Sequence, residues 1–339
     1  MANPLRILHE LGQSPWLDFI DRELVRGGRL AALVEEGIRG VTSNPAIFER
    51  AIAHSDHYDE EIERRARAGQ RAEAICEALA LADVQDAADV LRSVHEASGG
   101  GDGFVSLEVS PRLARDTEAT IAEARRLWEA FARPNAMIKV PATREGLPAI
   151  RTLLAKGVNV NVTLLFSVER YHEVADAWLA ALEQRAEVGA PLEGAASVAS
   201  FFLSRIDTLV DVRLDEIAAR VGPDAAGVRA LRGRAAIASA RCAYGIFERI
   251  LRSDRFQRLA ARGARPQRLL WASTGTKDPA YADTKYVEAL IGPQTVTTLP
   301  LATLEAWRDH GGPVREGARE DPEGAARALN ELAEFVPLS

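Results

Sequence analysis

Short apolar runs separated by long stretches of helical periodicity organise this chain. The runs lie at Pro15–Ile20, Gly40–Pro45, Phe104–Val109, Ala136–Pro141, Gly157–Phe166, Ala195–Phe202, Arg268–Thr274 and Gln294–Pro300. Each reads as a β-strand. Between them, apolar residues recur at three- and four-residue spacing. One helix is expected over about Asp21–Glu36, closed by Gly37, and several over Ala46–Ala97. Ser110 followed by Pro111 gives an N-cap and first helical position for a helix to about Arg133. Further helices cover Glu145–Lys156, Val168–Val188 and about Arg205–Gly263. Another, begun by Asp278-Pro279, separates the last two strands, and the tail past Gly311 reads as helical and polar.

Strands that alternate with helices imply right-handed βαβ units and a parallel sheet. About eight such repeats favour an α/β fold of the closed (β/α)8 TIM-barrel type, with extra helices, over an open doubly wound sheet. No GxGxxG motif opens a helix, which argues further against a dinucleotide-binding fold. Ser98-Gly-Gly-Gly-Asp-Gly103 lacks the GK[ST] ending of a phosphate loop and reads as a flexible connector. Nothing in the pattern splits the chain, so residues 1–339 are expected to form one domain.

Strands buried on both faces usually read as continuous apolar runs. Several here alternate instead. Val158–Thr163 reads V-N-V-N-V-T, which puts Asn159, Asn161 and Thr163 on one face. Val105, Leu107 and Val109 oppose Ser106 and Glu108; Leu17 and Phe19 oppose Asp18; Val41 opposes Thr42 and Asn44. If the apolar faces pack on the outer helices, Asp18, Asn44, Glu108, Lys139, Asn161 and Thr163 point into the barrel. All lie near the C-terminal ends of their strands, where barrels of this type build active sites.

Lys139 is the most informative of the set. It sits in Ala136-Met-Ile-Lys-Val-Pro-Ala-Thr143, opposite Ile138 and Val140. Burial disfavours an ammonium, and a neutral amine is the nucleophile that forms a Schiff base with a carbonyl substrate. Alone, the residue also fits an edge-strand lysine reaching solvent. Two acids and a lysine inside one barrel are costly to bury without a purpose. A Schiff-base mechanism uses that set directly, with carboxyl groups moving protons during dehydration and C–C cleavage. Arg205 after the sixth strand, and Ser273-Thr-Gly-Thr-Lys277 after the seventh, stand where barrels bind phosphate.

Composition narrows the class without changing this picture. Lys and Arg total 42 against 49 Asp and Glu, a net charge of -7 and a pI near 5.6. Bulk charge therefore gives no reason to expect a nucleic-acid partner. No long uncharged apolar run suits a membrane span, and Met1–Ser14 lacks the apolar core of a leader. The two cysteines, Cys76 and Cys242, offer no disulfide framework, so a cytoplasmic setting is expected. Of the six histidines, His54 and His57 flank Asp56 in a polar segment, and no metal-binding spacing appears.

The chain resembles the transaldolase family over nearly its whole length. The matching stretches are Trp16-Leu-Asp18, Gly40-Val-Thr-Ser-Asn-Pro45, Ser106-Leu-Glu-Val-Ser110, Met137-Ile-Lys-Val-Pro-Ala142, Asn161-Val-Thr-Leu-Leu-Phe-Ser167, Ser200 with Arg205, and Trp271-Ala-Ser-Thr-Gly275. The resemblance is nearest to the longer bacterial forms. It implies a class I aldolase-type barrel that works without metal or organic cofactor. Such an enzyme moves a dihydroxyacetone unit between sedoheptulose 7-phosphate and glyceraldehyde 3-phosphate, giving erythrose 4-phosphate and fructose 6-phosphate, in the non-oxidative pentose phosphate pathway. It further implies Lys139 as the Schiff-base nucleophile and Asp18 as the acid/base for cleavage. Glu108 and Thr163 would position the water that shuttles protons. Asn44, Asn161 and Ser200 would hold the dihydroxyacetone hydroxyls, and Arg205 and Ser273 the phosphate.

Two features depart from the family pattern. Shorter members carry an arginine two residues after the strand-seven serine, where Gly275 stands here, and Lys277 is the candidate to supply that charge. The chain ends at Leu338-Ser339, where longer relatives continue into a further helix near the site mouth. This fits a natural short form, a truncated piece of a longer chain, or part of a longer fusion, for instance with a sugar-phosphate isomerase. Sugar phosphates are the expected partners, and monomer and homodimer are both compatible with the resemblance. Two other readings compete with transfer. An aldolase of the fructose 6-phosphate type shares the lysine but lacks the helical insertions at Ala46–Ala97 and Ala218–Gly263. A non-catalytic sugar-phosphate-binding barrel should have lost an acid or the lysine.

Overall fold

The computed structural model describes residues 3–312 and 314–337. Eight parallel strands among them close into a barrel in sequence order: β1 (Gln13–Leu17), β2 (Gly40–Thr42), β3 (Val105–Glu108), β4 (Ala136–Pro141), β5 (Val160–Leu165), β6 (Ser197–Phe202), β7 (Arg268–Ala272) and β8 (Thr295–Leu299), with β8 returning to β1. Helices surround them, so the expected (β/α)8 fold with extra helices is the fold observed. No described helix is long and apolar enough to cross a membrane.

The alternation read from the sequence sorts side chains as expected on the outside. Leu17, Val41, Ile138, Val140, Val162 and Phe201 join one continuous core with the surrounding helices. The inside is split by height. Trp16, Met137, Val198, Leu270 and Val296 form a separate apolar cluster within the barrel, while polar residues occupy its C-terminal end. The fully buried Trp16 side chain reaches over to β2. A Cβ at Gly40 would lie 2.5 Å from Trp16 Cε2, so the glycine is what lets the indole occupy the barrel.

Polar groups seal the opposite end. Asp102 accepts hydrogen bonds from the Ser14 hydroxyl and from Trp16 Nε1, the latter at 2.9 Å. Arg268 donates to Ser14 at 2.8 Å and to Asp102 at 3.3 Å. The Ser98–Gly103 stretch is thus more than a connector: it delivers a carboxylate, 6 % exposed, to the barrel floor. The inserted helices are tied to the barrel by Arg22, whose Nε donates to Asp83 at 3.0 Å, while the Tyr58 hydroxyl donates to the same carboxylate at 2.8 Å.

Several boundaries differ from the sequence reading for local reasons. β1 stops at Leu17, leaving Asp18 just beyond it. The expected Asp21–Glu36 helix is two, Arg22–Arg26 and Arg29–Glu36, broken where Gly28 takes φ 82°. Ser110-Pro111 opens only a 3-10 turn, and the long helix Thr117–Phe131 starts at its own cap, Asp116. Asp278-Pro279 begins no helix; the one between β7 and β8 is Lys285–Ala289. The tail helix Pro322–Ala333 is amphipathic, burying Ala325, Ala328 and Leu332, and it packs on Ala235–Arg252. Leu338 and Ser339, on which the reading of the C-terminus rests, lie outside the described residues.

Filling the barrel with an indole makes a testable demand on β2. Gly40→Ala is expected to lower unfolding free energy by about 1–3 kcal/mol through overpacking, measured by urea denaturation. The cost should shrink in a Trp16→Phe background; an equal cost in both would show that the indole is not the obstacle.

Candidate active site

Strand register builds the centre of the site. Glu108 on β3, Lys139 on β4 and Asn161 on β5 are consecutive partners across the sheet, so all three project inward. Lys139, 6 % exposed, has its Nζ 3.1 Å from Glu108 Oε2 and donates to the Ser43 carbonyl at 2.9 Å. Ser43 is held in turn, because its hydroxyl donates to the Ser106 carbonyl at 2.7 Å. The amine thus has one anionic and one neutral acceptor, which offset the cost of burying it.

Asn161 lies beneath the Lys139–Glu108 pair with no exposure. Its Nδ2 donates to Ser106 Oγ at 3.0 Å, and the Ser200 hydroxyl donates to its Oδ1 at 2.7 Å. This chain of Ser106, Asn161 and Ser200 ties β3, β5 and β6 together under the lysine. Above it opens a cavity of about 310 Å³ lined by Asp18, Asn44, Glu108, Lys139, Thr163, Ser200, Arg205 and Ser273. Eight residues singled out in the sequence therefore meet around one space. A larger, mainly apolar chamber of about 700 Å³ shares Asn44 and Glu108 with it. Of these two cavities, the smaller one sets an amine, Lys139, together with two carboxyl groups, Asp18 and Glu108.

The two carboxyl groups do not share an environment. Burial pushes the Asp18 carboxyl above its ordinary value, an effect opposed by the charges of Lys139 and Arg205, reinforced by Glu108 and opposed again by Lys277. Asn44 has two duties. Its Oδ1 accepts from Ile47 N at 3.1 Å and caps the Pro45–Ala53 helix, which leaves its Nδ2 to the cavity.

At the other wall, Arg205 lies in the first turn of the Ser204–Val221 helix, its Cζ 5.0 Å from the Phe202 ring centroid. An aromatic face holds a guanidinium without consuming its N–H donors. Ser273 takes φ 58°, and its hydroxyl shares a 2.8 Å hydrogen bond with Ser204 Oγ. Leu164 also has positive φ, 62°, at a bulge where β5 has one residue more than β6 between Val162 and Leu165. Strained non-glycine backbone of this kind concentrates at functional sites, and both residues line the cavity.

Two residues fall elsewhere than expected. Asn161 contacts the cavity only through Ser200. Lys277 lines a neighbouring cavity of about 210 Å³ with Asp207, Asp211 and Asp278, although its charge still reaches Asp18. Sequence reading missed Ser43, the backbone acceptor of the amine, and Leu164. For the latter a signal existed: the run V-N-V-N-V-T ends in Leu164-Leu165, and two successive apolar residues break the alternation where the bulge lies. His54 and His57 are exposed, as expected. Among the described residues no three His, Cys, Asp or Glu side chains gather as a metal-ligand set.

Comparison with known proteins gives the family of the chain. The family model described as Transaldolase/Fructose-6-phosphate aldolase matches residues 15–335. A relative named Transaldolase from Thermobifida fusca is 51% identical over 340 residues, covering 100% of this chain and 90% of its own. One of the same name from a Parafrankia species is 50% identical, covering 99% and 89%. A relative named Transaldolase 2 from a Nostoc species is 51% identical, covering 91% and 82%. The chain belongs to the transaldolase/fructose-6-phosphate aldolase family.

Proposed function

We propose that this protein is a transaldolase that carries a dihydroxyacetone unit on Lys139 from a ketose phosphate to an aldose phosphate. The observation that supports it most is the contact of Lys139 with Glu108, at 3.1 Å, in a cavity that also holds Asp18 and Arg205. The donor is sedoheptulose 7-phosphate and the acceptor glyceraldehyde 3-phosphate, yielding erythrose 4-phosphate and fructose 6-phosphate in the non-oxidative pentose phosphate pathway. The family match over residues 15–335 supports one domain. The two free cysteines, Cys76 and Cys242, fit a cytoplasmic setting.

The chemistry follows from the arrangement. Lys139 passes a proton to Glu108, and the free amine attacks the ketose carbonyl carbon to give a carbinolamine. Glu108, with a water held between it and the Thr163 hydroxyl, returns a proton to the departing hydroxyl, so water leaves and the iminium forms. Asp18, as carboxylate, then takes the proton of the hydroxyl two carbons from the iminium. That C–O becomes the aldehyde of the first product, the C–C bond breaks, and its electron pair flows into the iminium as an enamine. The acceptor aldehyde enters, the enamine carbon attacks it, and Asp18 returns the proton to the new hydroxyl. Hydrolysis frees the ketose. Ser200 and Asn44 hold the hydroxyls of the three-carbon unit, with Asn161 fixing Ser200. Arg205 and Ser273 bind the phosphate, and Lys277 adds positive charge nearby.

Two outcomes are expected. Borohydride with fructose 6-phosphate should leave a covalent adduct on Lys139 by intact and peptide mass. Lys139→Met should abolish it and lower kcat/KM on the order of 10⁴-fold or more while keeping the fold. An adduct on wild type with release of free dihydroxyacetone, and no transfer to an aldose phosphate, would instead place the protein with the aldolases of the family. The second concerns pH. Asp18 must be ionised to accept the hydroxyl proton, and burial raises its pKa above the ordinary aspartate value. Activity should therefore fall as pH drops through that raised value, giving an acid limb in kcat above the ordinary aspartate range. Asp18→Asn should lower kcat by roughly 10²–10⁴-fold and remove the limb; an unchanged limb in that variant would assign it to another group.

A further inference from the structure

The Ser204–Val221 helix is stitched along one face to the segment after β7. Ser204 N donates to the Ser273 carbonyl at 3.0 Å, beside the hydroxyl pair already described. One turn on, Asp207 Oδ2 accepts from Lys285 Nζ and from the Tyr286 hydroxyl, each at 2.8 Å, while Oδ1 accepts from Ala236 N at 2.8 Å. A further turn on, Asp211 accepts from the Tyr281 hydroxyl at 2.6 Å and from Gly233 N at 2.8 Å. Positions 204, 207 and 211 follow the i, i+3, i+7 pattern of a single helix face. Lys285 also donates to the Gly233 carbonyl at 2.8 Å and lies 3.7 Å from the Tyr281 ring centroid.

Net stability is a poor explanation for this cluster. Asp207 is 1 % and Asp211 5 % exposed, and burying such groups with an ammonium is expensive. Packed apolar residues of similar volume often serve stability as well or better. Asp207, Asp211, Tyr281, Lys285 and Tyr286 do not line the cavity that holds Lys139. What the cluster does fix is relative placement. Arg205 sits between two of the stitches on the helix, and Lys277 lies inside the clamped segment from Ser273 to Tyr286.

We propose that Asp207, with Lys285 and Tyr286, is a positioning device for the phosphate end of the substrate, with Asp211 and Tyr281 as its second clasp. It holds the segment after β7 against the Arg205 helix, so that Arg205 and Ser273 meet one anion at fixed spacing with the charge of Lys277 held beside them. The inference rests on the transaldolase reading, because it takes the group bound there to be a sugar phosphate. A misplaced anchor weakens recognition of the phosphate without touching the amine, the carboxyl groups or the three-carbon subsite.

The test uses two ketoses that both form a Schiff base on Lys139, each trapped with borohydride over a concentration series: fructose 6-phosphate, which extends to the phosphate wall, and dihydroxyacetone, which fills the three-carbon subsite alone. Asp207→Asn keeps the size and removes the charge. It should raise the half-saturating fructose 6-phosphate concentration roughly tenfold or more, and leave that for dihydroxyacetone within about twofold, inside the scatter of ordinary surface changes. Tyr286→Phe deletes one hydroxyl from the same carboxylate and should move the ratio in the same direction, so an unfolded Asp207→Asn does not end the test. Equal losses for the two ligands, or no loss for either, would overturn the positioning role. A wild-type protein that gives no adduct with either ligand would overturn the reaction itself, a different and recognisable failure.

Discussion

A lysine ammonium and a glutamate carboxylate, 3.1 Å apart inside a closed barrel, constrain everything around them. Each charge costs several kcal/mol to remove from water, and mutual attraction offsets that cost only with good geometry and further hydrogen bonds. The barrel provides both. Adjacent strands in register put Glu108 and Lys139 side by side, and the Ser43 carbonyl takes another ammonium proton at 2.9 Å. The position of that carbonyl depends on the Ser43 hydroxyl reaching back to β3. A shift of one residue in the pairing of β3 and β4 would send one charge into the apolar layer between sheet and helices.

The same demand explains why the barrel interior is divided. A tube of eight strands has little room, and its lower half is filled by apolar side chains led by Trp16. That filling gives the polar level a dry floor. It also requires Gly40 on the neighbouring strand, and it places an indole N–H where Asp102 and Arg268 must complete it. The Ser106–Asn161–Ser200 chain is the boundary between the two levels, and it satisfies the buried amide of Asn161 on both its atoms.

Much of this was legible because strand alternation is a strict rule. Once Asp18, Glu108, Lys139 and Thr163 oppose apolar partners, a closed barrel sends them to one space, and the structure brings them there. What was not legible came from places where a local rule yields to tertiary context. The Asp278-Pro279 start signal is overridden because the segment is held by side-chain bonds from Tyr281, Lys285 and Tyr286. Lys277, carried by that segment, therefore sits beside the main cavity instead of in it. Ser43 escaped notice because its contribution is a backbone carbonyl, which no residue type announces. Asp102 was hidden in a glycine-rich stretch whose composition says turn and nothing about a buried carboxylate.

Charge in the site is arranged as a gradient. Lys139 and Glu108 are in contact and largely compensate each other. Asp18 stands apart from them and is governed chiefly by burial, with Lys139 and Arg205 opposing the shift. A carboxyl whose pKa is raised by burial is a stronger base when ionised, which suits a group that takes a proton in cleavage and returns it in bond formation. Arg205, held by an aromatic ring instead of a carboxylate, keeps its positive charge uncommitted at the far wall. An anionic substrate end placed there would partly cancel the cation that lowers Asp18.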